Sequence, residues 1–309
     1  MRKILKWIGI VLAALVGLII VAVIGSLVYG SASFKRTYDR PVYEIQADTS
    51  PEGVARGEYL VRTVIACGGC HGAGEEDLEK VSGPLVGDFE EFSDGPFSGV
   101  FATPNLTSDR ETGLGDWTDA EIARAIREGL DNEGVELVVM PSAEFHGLSD
   151  PDVAAIVGYL RSLEPVRNEI PPFSANAFVK AALAIGLFGP RNLTEPITAL
   201  QTSPPSGTAE YGGYLLGLAP CAFCHGENFA GGPVPDAEPG SPPAANLTPA
   251  GELAGWTEAG FIMTMRTGAT PSGRGLDNDF MPWTVFSNMT DVDLGAIYKY
   301  LQMLPPAEP

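Results

Sequence analysis

Residues 67–71 read Cys67-Gly68-Gly69-Cys70-His71, and the pattern returns as Cys221-Ala222-Phe223-Cys224-His225. Two thiols three positions apart share one side of a helical turn. The chain holds four cysteines, and the two motifs use all of them. Cysteine pairs of this kind serve as redox dithiols, zinc ligands or haem-attachment points. A thioredoxin-like dithiol opens a helix inside a βαβ unit, and no such pattern is present. One zinc site made from all four thiols would join motifs about 150 residues apart and leave both adjacent histidines unused. The histidine that closes each motif selects the third reading, two covalently bound haem c groups. Cys67 and Cys70, and then Cys221 and Cys224, would add to the porphyrin vinyl groups. His71 and His225 would each give an imidazole nitrogen to an iron.

The rest of the composition fits that reading. A length of 309 residues suits about two domains. Gly (37) and Pro (26) are abundant enough to make much of the chain loop, which a porphyrin-filled core tolerates. The formal net charge of −20 argues against nucleic acid, which needs a basic footprint. An acidic surface serves solubility and can also steer a basic protein partner.

Arg2, Lys3 and Lys6 precede an uncharged apolar run over residues 7–29, bounded by Trp7 and Tyr29. At 1.5 Å per residue the run reaches about 35 Å, enough for a hydrocarbon core of roughly 30 Å. Interfacial aromatics belong at such ends, and the flanking charge puts the N-terminus inside the cell. Lys35 and Arg36 weaken the asymmetry, but haem attachment outside the membrane requires the same orientation. Gly30-Ser31-Ala32 offers small residues for a cleavage site. The run nevertheless exceeds the usual apolar length of a cleaved signal, which favours a retained anchor. Gly9, Gly17 and Gly25 recur every eight residues, a spacing read as chance.

Beyond a polar tether at 33–50, the chain reads as one unit written twice. A helix over 51–66 leads into Cys67, and one over 209–218 leads into Cys221. Gly57-Glu58-Tyr59-Leu60 matches Gly212-Gly213-Tyr214-Leu215, with Tyr59 eight residues before Cys67 and Tyr214 seven before Cys221. Gly/Pro-rich loops with Gly83-Pro84 and Gly232-Pro233 follow, expected to wrap the haem edge without forming sheet. Asn105-Leu106-Thr107 and Asn246-Leu247-Thr248 come next, then Trp117 and Trp256. Thr118 to Glu121 is a capping box, whereas Gly260 occupies the corresponding place after Thr257, so the second helix start should be weaker. Asn105, Asn192, Asn246 and Asn288 also form glycosylation sequons, discounted in an exported bacterial-looking chain. The repeat assigns Asn105 and Asn246 a structural role beside the haem. Met140-Pro141 matches Met281-Pro282, and each methionine lies 19 positions before a Tyr-Leu pair, Tyr159-Leu160 or Tyr300-Leu301, in a closing helix. Capping signals open those helices at Ser149 and Thr290. Between the units, 166–207 is a proline-marked linker, including Pro190. Its apolar stretch at 177–188, ending in Phe188, is too short to span a bilayer and is expected to pack on a domain.

The second axial group decides what a haem does. Histidine with methionine makes an electron carrier, whereas an open or displaceable position makes a peroxidase or a sensor. The first unit offers Met140 or His146. The second offers Met263, Met265, Met281, Met289 and Met303. Only Met140 and Met281 share a repeat position and a following proline, which presets a non-helical turn. His146 faces Ser287 in the alignment of the two units and is read as an ordinary polar side chain. Met263, Met265 and Met303 are read as core filling.

These residues resemble the cytochrome c subunits of bacterial membrane-bound alcohol, gluconate and sorbitol dehydrogenases. The first unit carries that family's marks in Asn105-Leu106-Thr107, Gly115-Asp116-Trp117-Thr118, Met140-Pro141 and Tyr159-Leu160. The second carries them in Asn246-Leu247-Thr248, Gly255-Trp256-Thr257, Met281-Pro282 and Tyr300-Leu301. The resemblance implies His71/Met140 and His225/Met281 ligation, with Asn105, Trp117, Asn246 and Trp256 around the haem. Those subunits usually carry three haems and place their membrane segment elsewhere, whereas this chain has two motifs and an N-terminal anchor. The expected architecture is all-α: an anchor at 1–32, a tether at 33–50, class I cytochrome c domains at 51–165 and 208–309, and a linker at 166–207. The expected role is one-electron transfer on the periplasmic face of the inner membrane. Expected partners are redox proteins: a donor such as a membrane-bound dehydrogenase, and an oxidase or soluble acceptor. Membrane lipid would surround residues 7–29. The rival is a dihaem peroxidase or haem sensor with one open iron, which the presence of Met-Pro in both units disfavours.

Overall fold

In a computed structural model, the chain is described at every residue except 1, 35, 75–76, 188–192, 236, 238–239 and 309. Lys35, Phe188, Pro190 and Asn192, named above, lie outside the described residues. Helix α1 (Arg2–Ser33) is long and apolar enough to cross a membrane, an 18-residue stretch of it having a mean hydropathy of 3.0. Its one buried residue is Gly30. A Cβ there would lie 2.6 Å from the backbone nitrogen of Ala181, so the missing side chain admits another helix. Gly9, Gly17 and Gly25 face open space.

The tether is not free chain. Tyr38 N–H donates to Gly134 O (2.8 Å), Ala47 N–H to the Asp119 carboxylate (2.9 Å) and Asp48 N–H to Ala154 O (2.9 Å). It therefore lies along the first repeat unit. Ser50 then caps α2 (Pro51–Tyr59), its hydroxyl accepting from Gly53 N–H at 3.0 Å. The helix continues directly into a π turn over Leu60–Val64. Ala66, at φ 57°, then swings the chain into α3 (Gly68–His71). This explains the unequal Tyr-to-Cys spacing. One extra residue in a packed helix is absorbed as a π bulge, because removing it would rotate every later side chain off the core. The equivalent α9 (Ala209–Leu218) lacks the extra residue and runs regularly to its end.

The remaining elements of the first unit are α4 (Asp77–Ser82), strands β1 (Asp88–Asp94) and β2 (Phe97–Thr103), α5 (Asp119–Glu128), α6 (Ser142–Phe145) and α7 (Asp150–Ser162). The linker holds β3 (Ser174–Ala175) and α8 (Ala177–Ala184). After α9 come α10 (Cys221–His225), α11 (Glu258–Thr267), α12 (Trp283–Phe286) and α13 (Asp291–Met303). The order α9, α10, α11, α12, α13 repeats α2, α3, α5, α6, α7.

The strands correct the expectation of an all-α chain and of a sheet-free loop after His71. β1 and β2 pair antiparallel from Asp88 opposite Thr103 to Asp94 opposite Phe97, and β2 also pairs with β3. The two-residue turn is Gly95-Pro96, with Gly95 at φ 53°. Gly at the first central position is what a tight hairpin turn requires, and Phe89, Phe92, Phe97, Val100 and Phe101 flank it with strand-forming side chains. The corresponding second loop is shorter and, among the described residues, shows a single bridge between Gly232 and Ala244.

The main helix pairs are α2 with α7 and α9 with α13. Leu60, Val61, Val64, Val153, Ile156 and Val157 fill the first crossing; Leu215, Leu294, Ile297 and Leu301 fill the second. These side chains belong to one contiguous core cluster. The caps follow the sequence. Thr118 and Glu121 form the complete capping box, while Thr257 accepts only from Gly260 N–H. The linker packs on the base of α1, as Gly30 permits, with Phe34 stacked on Phe173 at 6.2 Å. The apolar stretch thus meets the anchor and the hairpin.

Each helix crossing is set by a repeated glycine. A Cβ on Gly57 would lie 2.0 Å from Ala155 O, and one on Gly212 would lie 2.0 Å from Ala296 O. Gly57→Ala and Gly212→Ala are therefore expected to cost about 1–3 kcal/mol through overpacking. Gly217→Ala, on the same helix as Gly212 but with open space around it, should instead stabilise by up to about 1 kcal/mol. Denaturant unfolding midpoints of the three variants test the contrast in sign.

Candidate haem-binding sites

Each C-x-x-C-H motif is one short helical turn. Cys67 O accepts from Cys70 N–H (3.2 Å) and His71 N–H (2.9 Å), which fixes the backbone of the turn that carries both cysteines and the histidine. All four cysteines are free of disulfides. Burial pushes the Cys67 and Cys221 thiols up to about 12 and also raises Cys70 and Cys224. Among the described residues, no group of three or more His, Cys, Asp or Glu gathers as a metal site. The four thiols do not make a zinc cage.

His71 and His225 are both buried, and both have their tautomer fixed by a backbone carbonyl. Nδ1 of His71 donates to Pro104 O at 2.9 Å, and Nδ1 of His225 donates to Ala245 O at 2.8 Å. A carbonyl can only accept, so Nδ1 carries the proton and Nε2 keeps its lone pair. Burial lowers both imidazole pKa values, the carbonyl bond opposing it, which favours the neutral form. A neutral imidazole whose other nitrogen is hydrogen-bonded is the form in which histidine ligates a metal. The residues present fit a haem iron in both places.

The loops that supply these carbonyls are themselves held in matching ways. His71 O accepts from Gly87 N–H and His225 O from Gly231 N–H, each at 2.9 Å. Both glycines have positive φ (80° and 75°), and a Cβ at either would meet backbone oxygen within 2.5 Å. Immediately after the accepting carbonyls come Asn105 and Asn246. Asn105 Nδ2 donates to Val166 O (2.7 Å) while its Oδ1 accepts from Thr107 N–H (3.0 Å). Asn246 makes the same pair of bonds to Ala307 O (2.6 Å) and from Thr248 N–H (2.8 Å). Each asparagine thus clasps the histidine-orienting loop to the segment that follows the unit's last helix.

Met140 and Met281 are half-buried and pack against the core, as do Cys67, Cys221, Trp117 and Trp256. Both methionines head the same turn. Ser142 N–H donates to Met140 O (2.8 Å) across Pro141 (φ −78°, ψ 53°), and Trp283 N–H donates to Met281 O (2.6 Å) across Pro282 (φ −73°, ψ 60°). These are inverse γ-turns, for which proline already has the right φ. Trp117 O and Trp256 O accept from Arg161 (2.5 Å) and Tyr298 (2.6 Å). His146 donates to Arg127 O at 3.1 Å, satisfying a carbonyl in the last turn of α5.

The core-filling reading holds for Met265, which is buried, and fails for two methionines. Met263 is 59% exposed on α11, and Met303 is 69% exposed in the last turn of α13. Apolar residue type alone did not reveal which helix face each occupies. Sequence reading also passed over the Pro104 and Ala245 carbonyls, because a backbone oxygen has no residue-type signal. Their only trace is their place one residue before each Asn-Leu-Thr.

The clasp makes a direct prediction. Asn105→Ala strips a buried donor and acceptor from Val166 O and Thr107 N–H and is expected to cost about 1–3 kcal/mol, as is Asn246→Ala. Unfolding by denaturant measures both. A loss below about 0.5 kcal/mol in each would remove the clasp from the account.

Comparison with known proteins points to cytochromes c. Residues 52–160 match the family described as cytochrome c oxidase, cbb3-type, subunit III. The chain is 26% identical over 285 residues to the cytochrome c subunit of alcohol dehydrogenase (quinone) of Gluconobacter oxydans, covering 82% of this chain and 55% of that protein. It is 27% identical over 275 residues to a dihaem cytochrome c-type protein of Cereibacter sphaeroides, covering 82% and 86%. It is 32% identical over 178 residues to the cytochrome c subunit of gluconate 2-dehydrogenase of Pantoea cypripedii, covering 56% and 37%. The chain therefore spans less than two thirds of the length of the two dehydrogenase relatives. Residues 52–160 match a cytochrome c family model, in a chain that resembles both the cytochrome c subunits of dehydrogenases and a dihaem cytochrome c.

Proposed function

We propose that the chain is a membrane-anchored dihaem cytochrome c that passes electrons one at a time. Two domains, 51–165 and 208–309, would each hold one haem c. Cys67 and Cys70 would attach the first, with His71 and Met140 as axial ligands. Cys221 and Cys224 would attach the second, with His225 and Met281. The observation that carries this reading is the paired hydrogen bond from His71 Nδ1 to Pro104 O and from His225 Nδ1 to Ala245 O, beside two cysteines in each case. It leaves one lone-pair nitrogen per motif, twice. The repeated γ-turn at Met140 and Met281 supports a thioether ligand in both units, which raises the potential and suits electron transfer.

When bound, each haem supplies a one-electron couple. The protein residues do the remaining work. The carbonyls hold the imidazoles in one tautomer, the Asn clasps hold the carbonyls, and the apolar core excludes water. Helix α1 supports anchoring in the inner membrane with the N-terminus inside and the haem domains in the periplasm. The names of the relatives support a dehydrogenase as electron donor. An oxidase or soluble cytochrome of the respiratory chain would accept the electrons.

Haem content and the visible spectrum of the oxidised protein test this. Two haem c per chain are expected, with a methionine–iron charge-transfer band of strength for two. Met140→Ala should halve that band and open one iron to cyanide or carbon monoxide, leaving the second unchanged. An unaltered spectrum in Met140→Ala would transfer the first axial position to another residue. A wild-type band worth only one haem would favour the peroxidase or sensor reading instead.

A further inference from the structure

The first helix of each unit reaches across to the last helix of the other, and the two contacts mirror one another. Tyr59, on α2, donates its hydroxyl proton to Asp293 Oδ2 (2.6 Å) and accepts from Thr290 N–H (3.1 Å). Tyr214, on α9, donates to Asp152 Oδ2 (2.7 Å) and accepts from Ser149 N–H (3.1 Å). Tyr59 and Tyr214 hold the same repeat position. Thr290 and Ser149 are the N-caps of α13 and α7, and Asp293 and Asp152 stand three residues inside them. Each tyrosine thus completes the N-terminus of the other unit's closing helix, at a carboxylate that is itself buried.

The contact between the mirrored pairs has the form of a pseudo-two-fold axis. Arg56 donates to Tyr211 Oη at 2.9 Å, and these two residues occupy one repeat position, three before Tyr59 and Tyr214. A residue that touches its own repeat equivalent lies on or beside the axis relating the copies. Arg56 also pairs with Asp152 at 2.8 Å. The substitution of Tyr for Arg across the axis means that Asp152 receives a cation and a tyrosine, while Asp293 receives the tyrosine. The methionine segments join the same interface. Helix α6, which follows Met140-Pro141, packs against α9 of the second unit. Helix α12, which follows Met281-Pro282, packs against the π turn of the first.

We infer that Tyr59 and Tyr214 are positioning residues. With Arg56 at the axis, they lock the two haem units in one mutual orientation and so set the rate of electron exchange inside the chain. This rests on the dihaem reading above. In the exchange, one iron passes from ferrous to ferric as the other passes from ferric to ferrous, with no proton or bond exchanged. A rate of this kind depends on a fixed spacing and angle between the sites. Hydrogen bonds made only between units are what distinguish a fixed arrangement from two domains moving independently, which is otherwise the default for linked domains.

The test uses the full-length protein with both haems. Tyr59→Phe/Tyr214→Phe keeps the rings and removes both hydroxyls. It is expected to retain two haems and the full methionine–iron band. It should lose the two-signed Soret circular dichroism of a fixed haem pair, gain radius in small-angle scattering, and slow internal exchange after a flash of reductant by about tenfold or more. Asp293→Asn, whose amide oxygen still accepts from Tyr59, should keep wild-type dichroism and rate. Should the double variant fail to load its haems, each single Tyr→Phe variant is expected to show the same losses in smaller measure. Wild-type dichroism and exchange rate in the Tyr→Phe variants would overturn the inference and leave the dihaem reading standing. A wild-type protein with fewer than two haems, or without the methionine band, would instead overturn the reading on which the inference rests.

Discussion

A hydrogen bond from an imidazole Nδ1 to a backbone carbonyl is the constraint on which the rest of this structure depends. It converts a buried histidine, which could carry its proton on either nitrogen, into one whose lone pair sits on Nε2. The bond works only if the carbonyl is fixed. That need accounts for the left-handed glycine that catches the histidine's own carbonyl and for the asparagine that ties the loop to the end of the unit. Neither asparagine acts through charge. Each contributes one donor to a carbonyl about 60 residues away and one acceptor to a nearby backbone N–H, so that one side chain joins two segments.

The two copies show what a repeat conserves and what it lets drift. Backbone bonds around the histidines, the γ-turn at Met-Pro and the glycine at the helix crossing recur with nearly the same distances. Features that only cover these differ. The first loop has grown into a β-hairpin, and the second remains a bridge. The first helix carries an extra residue as a π turn, while the second is regular. In each case the difference lies where added length can be accommodated without moving a group that points inward.

Much of this was legible in the sequence because it depended on residue type at a fixed spacing. Two C-x-x-C-H motifs point to haem attachment, Thr118 with Glu121 specifies a complete cap, and the uncharged apolar run over residues 7–29 marks the long N-terminal helix. The hairpin turned on Gly95-Pro96, a turn signal hidden in a glycine-rich stretch that also reads as loop. Met263 and Met303 look like core residues until the helix face is known. The tether at 33–50 reads as polar and aperiodic, yet its backbone is pinned along the first unit by bonds that carry no residue signature.

The sequence alone determined the number of C-x-x-C-H motifs, the repeat of the principal helices and the candidate axial residues, because covalent attachment and metal ligation demand particular side chains at short range. Tertiary structure decided how the units face each other. Tyr59 and Asp293 are more than 230 positions apart, and nothing local distinguishes a tyrosine that bonds across an interface from one that fills its own core. The tautomer of each histidine was settled in the same way. It belongs to a carbonyl brought from a distant loop, and a carbonyl is the one functional group that every residue shares.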